Sequence, residues 1–282
     1  MSSGRDQGQV RPAAVAGQFY PCSPHQLRTT VDALMAGARI APMAAPKAII
    51  VPHAGYLYSG AVAATAFASL QPHAGTITRV VLIGPAHYVR FRGLAVPTVD
   101  AFETPLGIVP LVREAPTVLA DLAPVVRADA PHAPEHALEV ELPFLQAVLR
   151  SFELVSLLAG DAAPEEVAGA LDRLWGGPET LIVVSSDLSH FHNYETARHL
   201  DAVTAAQIER GDWAGLGPDK ACGCLAIAGL LMEMSRRGLR AQRLALANSG
   251  DTTGRRDRVV GYGAWITDFE KATVDGEADI RP

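Results

Sequence analysis

This chain is short of everything that a disulfide framework, a membrane span or a phosphate-binding loop requires. It has three cysteines among 282 residues, and Cys22, Cys222 and Cys224 are too poorly spaced for a disulfide scaffold or a structural zinc site, which fits a reducing cytoplasm. No uninterrupted apolar run approaches the ~20 residues of a membrane helix. Met1 to Val10 lack the apolar core of a secretion signal, so the expected location is the cytoplasm, with no membrane partner. Gly-x-Gly-x-x-Gly and Walker loops are absent, as is a Gly-x-Ser-x-Gly elbow, so nucleotide-dependent and ordinary serine-hydrolase chemistry lose support. Cations are sparse too. The formal net charge is -6, and the one compact basic cluster, Arg255, Arg256 and Arg258, is interrupted by Asp257 and reads as a solvated loop, so no nucleic-acid partner is expected.

What is present is apolar sequence, 49% of the chain. Strand-like runs recur from about residue 47 to residue 266 with helical patterns between them and no Pro-, Gly- or Ser-rich linker. That alternation predicts one α/β layer stack with a sizeable core. Among the helices, the periodicity predicts one over 134–150, where Leu138, Leu142, Leu145 and Leu149 share a face, and one over 221–237 ended by Gly238.

Three of the strand-like runs end in loops that carry histidine. Lys47 to Val51 leads into Pro52-His53, Arg79 to Ile83 into Gly84-Pro85-Ala86-His87, and Thr180 to Val184 into Ser185-Ser186-Asp187-Leu188-Ser189-His190. If these runs are neighbouring parallel strands, their carboxyl ends share the sheet edge where open α/β folds gather ligands. His53 and His87 are too far apart in sequence for a local metal motif, so only the fold can join them. Each ring is held on a loop stiffened by proline and turned at Gly55 or Gly84.

Other residues fit such a site. A helix beginning near Ala221 puts Cys222 at its N-terminus, beside Ala226, Gly229 and Glu233, where the helix dipole favours a thiolate. Cys224 falls instead with Ile227, Ala228 and Leu231 in the core. His190 suits general acid/base work and Asp187 can cap the segment or orient a ring. Glu135, His136, Glu139 and Glu141 cluster at the start of the 134–150 helix. Glu135, on the face of Leu138 and Leu142, is either a helix-dipole partner or a hydrogen-bond acceptor for a ligand ring. Tyr56, Phe19 and Tyr20 either pack or form an aromatic wall for a ligand.

Taken together, these segments resemble the Memo-like family, also called AmmeMemoRadiSam system protein B. The resemblance rests on Arg11-Pro12 with Gly17 to Pro21, Val51 to Tyr56 with Tyr58-Ser59-Gly60, Gly84 to His87, Glu135-His136 with Glu139 and Glu141-Leu142-Pro143, Ser185 to His190, Cys222-Gly223, and Ser249 to Gly254 with Val260-Gly261-Tyr262. It spans about residues 11–268 as a single domain and leaves polar tails at 1–10 and 269–282. It implies a central mixed, largely parallel sheet flanked by helices, as in class III extradiol dioxygenases.

By the same resemblance, His53, His87 and Cys222 are metal ligands, and His190 with Asp187 forms the acid/base pair. Tyr56, Glu135 and His136 touch substrate or support the ligands. The implied cofactor is iron(II) or copper. The related dioxygenases hold ferrous iron on two histidines and a carboxylate; a thiolate in the carboxylate's place softens the site toward copper. The implied activity is an oxidoreductase reaction on a small-molecule or peptide substrate, in a pathway shared with a radical SAM protein and an AMMECR-type protein. The alternatives are a peptide- or partner-binding module and a copper carrier, either of which keeps the pocket without turnover.

Overall fold

The computed structural model describes residues 8–38, 44–122 and 124–269. Most of both expected tails lies outside that range. Nine strands make the main sheet: β1 (Ala48–Val51), β2 (Arg79–Pro85), β3 (Leu94–Val96), β4 (Val125–Arg127), β5 (Glu153–Ala159), β6 (Thr180–Ser185), β7 (His190–His192), β8 (Leu239–Asn248) and β9 (Val259–Phe269). Four of them, in the order β1, β6, β2, β5, are parallel to their neighbours. Antiparallel pairing continues from β5 to β3, and from β1 to β9, which also pairs with β7 and β8. The sheet is therefore mixed with a parallel centre, and it belongs to a single α/β domain as the sequence predicts.

The central strands read as continuous apolar runs because both faces are covered. Alternate side chains enter two separate cores, as the two-residue period of a strand requires. Ile49, Val51, Val80, Leu82, Leu181 and Val183 join helices α1 (Pro24–Gly37), α2 (Tyr56–Ala68) and α3 (Leu142–Val148) on one face. Ile50, Val81, Ile83, Ile182 and Val184 join α4 (Pro164–Arg173), α5 (Tyr194–Arg210) and α6 (Cys224–Arg236) on the other. A small separate sheet pairs Val10–Arg11 with the hairpin of Ala101–Thr104 and Gly107–Pro110.

Two helices differ from their expected bounds in ways that bear on function. The 134–150 helix is broken: residues 131–138 form turns, Glu139–Glu141 is a 3-10 turn, and α3 starts only at Leu142. Pro143 explains the break, since it lacks an N–H and is tolerated only in a helix's first turn. The 221–237 helix begins at Cys224, so Cys222 precedes it in a turn. The backbone N–H groups of Cys222 and Gly223 are used elsewhere, on the Asp187 carbonyl and on Ser186 Oγ.

The turns of residues 131–138 are pinned from the N-terminal segment. Arg11 is 5% exposed and Glu139 fully buried, and their charged groups meet at 2.7 Å. Arg11 also donates to the carbonyls of His132 and Glu135. His132 itself is buried, with Nε2 3.2 Å from the Ala95 carbonyl. Burial lowers its pKa to about 4 from the ordinary value of 6.5. The unfolded chain binds that proton below 6.5 and the folded protein only below about 4, so stability rises with pH across the interval. In His132→Gln the stability gained between pH 4 and pH 7 should shrink by about 3 kcal/mol, as read by urea unfolding at the two pH values. An unchanged gain would refute this.

Candidate metal centre

Because β1, β6 and β2 run parallel side by side, their carboxyl ends deliver three loops to one edge of the sheet. Val51 leads through Pro52 to His53, Pro85 through Ala86 to His87, and Ser185 through Ser186 to Asp187. The turn before α3 adds Glu135 and His136. His53, His87 and His136 each present a ring nitrogen, and these atoms lie within 4.8 Å of one another. The rings of His87 and His136 stack at 4.7 Å, and His53 stands edge-on to both, at 5.2 and 5.3 Å.

Hydrogen bonds set the orientation of each ring. Glu135 takes the His87 backbone N–H at 2.6 Å and lies 2.8 Å from His87 Nδ1. It also accepts from the backbone of His136 and Ala137, and lies 3.2 Å from His136 Nδ1. Burial works to raise the Glu135 pKa, but hydrogen bonds from His136 and His87 hold this carboxylate well below the usual range. The ionised oxygen therefore keeps a proton on His87 Nδ1 and leaves Nε2 with a free lone pair. His53 Nδ1 lies 2.7 Å from Ser185 Oγ and its Nε2 3.2 Å from Cys222 Sγ. Burial, together with the neighbouring His136 and His87, pushes the His53 pKa well down, so this imidazole is neutral.

Residues 11–266 match the family described as Memo-like protein. The chain belongs to the Memo-like family. It is similar to a MEMO1 family protein of Aquifex aeolicus, 34% identical over 266 residues, covering 90% of this chain and 97% of that protein. A MEMO1 family protein of Methanosarcina mazei is 35% identical over 276 residues, covering 92% of this chain and all of its own length. A solved structure of an uncharacterized Escherichia coli K12 protein aligns with a TM-score of 0.49 at 14% identity, covering 76% of this chain and 98% of that one.

In this Memo-like chain the remaining candidate residues fall as follows. Asp187 accepts the His53 backbone N–H at 2.9 Å; burial raises its carboxyl pKa to about 7, against that hydrogen bond. Its own N–H points at Cys222 Sγ, 3.3 Å away. Cys222 does not gain the lowered pKa expected from a helix N-terminus. It lies outside the helix, and burial with the adjacent Asp187 pushes the thiol up. Cys224 is buried in the core. His190 sits half-buried on β7, its pKa lowered chiefly by burial. Tyr56 is buried, its hydroxyl donating to the Val140 carbonyl at 2.7 Å, and Tyr20 donates to Glu139. Phe19 instead packs on the His136 ring, 4.6 Å away. No helix among the described residues is long and apolar enough to cross a membrane.

Beside Cys222 opens a cavity of about 610 Å³ lined by Ala86, Phe91, Gly160, Cys222 and Leu225 among others. That is the size of a small-molecule site. Phe191, next to His190, is the one described non-glycine residue with left-handed backbone, φ 65°. Its ring is exposed and sits under the Arg258 guanidinium at 4.8 Å.

Two participants escape a reading by periodicity. Ser185, the last residue of β6, and Glu141, in the 3-10 turn, meet at 3.0 Å beneath His53. Their only sequence signal is a polar residue where a buried run should continue. Glu135, by contrast, fixes two rings at once. Glu135→Gln would set an N–H group against the donors it now accepts, and metal affinity should fall about 10–100-fold. A chelator competition assay checks this, and an affinity within twofold of the parent would refute it.

Proposed function

We propose that this protein is a redox-type metalloprotein holding one iron or copper ion on His53 and His87, with Cys222 as third ligand. The observation that carries the reading is the convergence of the His53, His87 and His136 nitrogens within 4.8 Å. Imidazole suits both iron and copper, and a thiolate favours copper. A metal ion fits this donor set because Glu135 holds His87 Nδ1, and Ser185 lies against His53 Nδ1, on the sides away from the cluster. His136 competes with Cys222 for the third position, and its membership of the cluster supports that variant.

When bound, such an ion would supply one-electron chemistry and polarise an oxygen ligand. The chain's own groups would handle protons. Asp187, with its pKa near 7, and His190 are suited to hold and pass a proton near neutral pH. The cavity beside Cys222 would admit a small-molecule substrate or a peptide side chain. Turnover on that substrate, and a pathway shared with radical SAM and AMMECR-type proteins, belong to the same proposal.

The test is a titration of anaerobically purified protein with Fe²⁺ and, separately, Cu⁺. Bound metal is counted after desalting in the parent, Cys222→Ser and His136→Gln. We expect about one equivalent in the parent, as a single three-donor site dictates, and its loss in Cys222→Ser. Loss in His136→Gln alone would replace the thiolate with a third imidazole. No retained metal of either kind would overturn the reading.

A further inference from the structure

We propose that Glu141 is a neutral carboxylic acid which, through Ser185, locks His53 in the tautomer whose Nε2 lone pair faces Cys222 and the metal site. The inference deepens the metal-centre reading and rests on it for its use, but the tautomer belongs to the metal-free protein and is measured there.

Proton counting carries it. Ser185 Oγ has three polar neighbours: the Ala137 carbonyl at 2.6 Å, His53 Nδ1 at 2.7 Å and Glu141 Oε1 at 3.0 Å. Contacts this short between electronegative atoms each require a hydrogen between them. The serine hydroxyl has one hydrogen and two lone pairs. A carbonyl has no proton to give, so the serine hydrogen points at Ala137. The two lone pairs then face His53 and Glu141, and each of those must bring its own hydrogen. His53 therefore carries its proton on Nδ1, and Glu141 carries one on its carboxyl.

An ionised Glu141 would set a carboxylate oxygen against a serine lone pair inside the protein, where Ser185, Glu141 and His53 are all 1% exposed or less. Nothing would offset that repulsion in so dry a setting. Burial, with the nearby Asp187 carboxyl, likewise pushes the Glu141 pKa well above the ordinary carboxylate value.

The consequence reaches Cys222. With Nδ1 protonated, His53 Nε2 is an acceptor, and its neighbour 3.2 Å away, from which the hydrogen must come, is the Cys222 thiol. The resting contact is S–H donating to nitrogen. An incoming ion that takes Nε2 displaces a thiol hydrogen bond and no N–H proton, so the ring is preset as a ligand. Glu141 and Ser185 are thus positioning residues acting through His53.

The experiment is a long-range ¹H–¹⁵N correlation spectrum of the metal-free, full-length protein labelled with ¹⁵N-histidine. It is paired with an infrared difference spectrum of the parent minus Glu141→Gln. We expect a protonated Nδ1 and an unprotonated Nε2 for His53 near pH 7, and a protonated-carboxyl C=O band that vanishes in Glu141→Gln. Glu141→Gln, whose amide N–H still donates to Ser185, should keep the parent's His53 pattern. Ser185→Ala should give averaged shifts on both nitrogens and a loss of metal affinity of about 10–100-fold. An unprotonated Nδ1 in the parent, or no protonated-carboxyl band, would overturn the proposal even if a variant failed to fold. A protein that shows the tautomer but binds neither Fe²⁺ nor Cu⁺ refutes the metal-centre reading alone.

Discussion

Glu139→Ala is expected to lower the stability of this protein by about 4 kcal/mol, because a buried charge that loses its partner is among the most costly defects a fold can carry. The Glu139 carboxylate accepts four hydrogen bonds: from Arg11 at 2.7 Å, from the backbone of Ala14 at 2.8 Å and Val15 at 3.0 Å, and from the Tyr20 hydroxyl at 2.6 Å. Truncation orphans all four donors at once and leaves a guanidinium buried beside an empty space. The paired variant Arg11→Met with Glu139→Met removes both charges and should recover part of the loss. Urea unfolding of the parent, both single variants and the pair gives the coupling directly. A single-variant loss below about 1 kcal/mol would show that the pair is no stronger than an exposed one.

The second large effect is on metal binding. Under the proposed assignment His53→Ala removes a ligand, so its cost should exceed the ~10–100-fold of losing an outer hydrogen-bond partner and reach the order of 1000-fold. His53 is also the ring that both Ser185 and Cys222 address, at 2.7 and 3.2 Å, so its loss leaves the thiol held by Asp187 without the ring. Competition against a chelator of known affinity, run anaerobically with Fe²⁺ and with Cu⁺, measures the change. The folded state is checked in parallel by far-ultraviolet circular dichroism, since the truncation leaves a polar gap in a buried site. An affinity within tenfold of the parent would remove His53 from the ligand set.

The strands were the most legible part of the chain, for a plain reason. Runs such as Ala48–Val51 and residues 181–184 are buried on both faces, so their composition is apolar throughout and needs no tertiary context to be noticed. Helix ends were less legible where one residue overrides a periodic pattern. Leucines at helical spacing run through 138–149, yet Pro143 delays the helix to Leu142. Ala221 to Gly223 looked like a first turn, but the amides of Cys222 and Gly223 bond to Asp187 and Ser186. The strand-end loops marked His53 and His87 for one sheet edge, and the fold brings those two rings together. The place of His136 beside them, and of Ser185 and Glu141 under them, depends on how turns of residues 131–141 fold against β6. No spacing within the sequence records that contact.

The strand order also decides when the site can exist. β6 is inserted between β1 and β2, and the pairing of Val51 with Ser185 joins opposite halves of the chain. Non-local parallel pairing of this kind forms late and slowly. On the ribosome, His53, His87 and His136 all emerge before the strand that carries Ser185, and Cys222 emerges after it. Until that strand slots in, the histidines are ordinary flexible donors with neither geometry nor selectivity. On the proposed metal-centre reading, metal loading would follow the insertion of this one central strand.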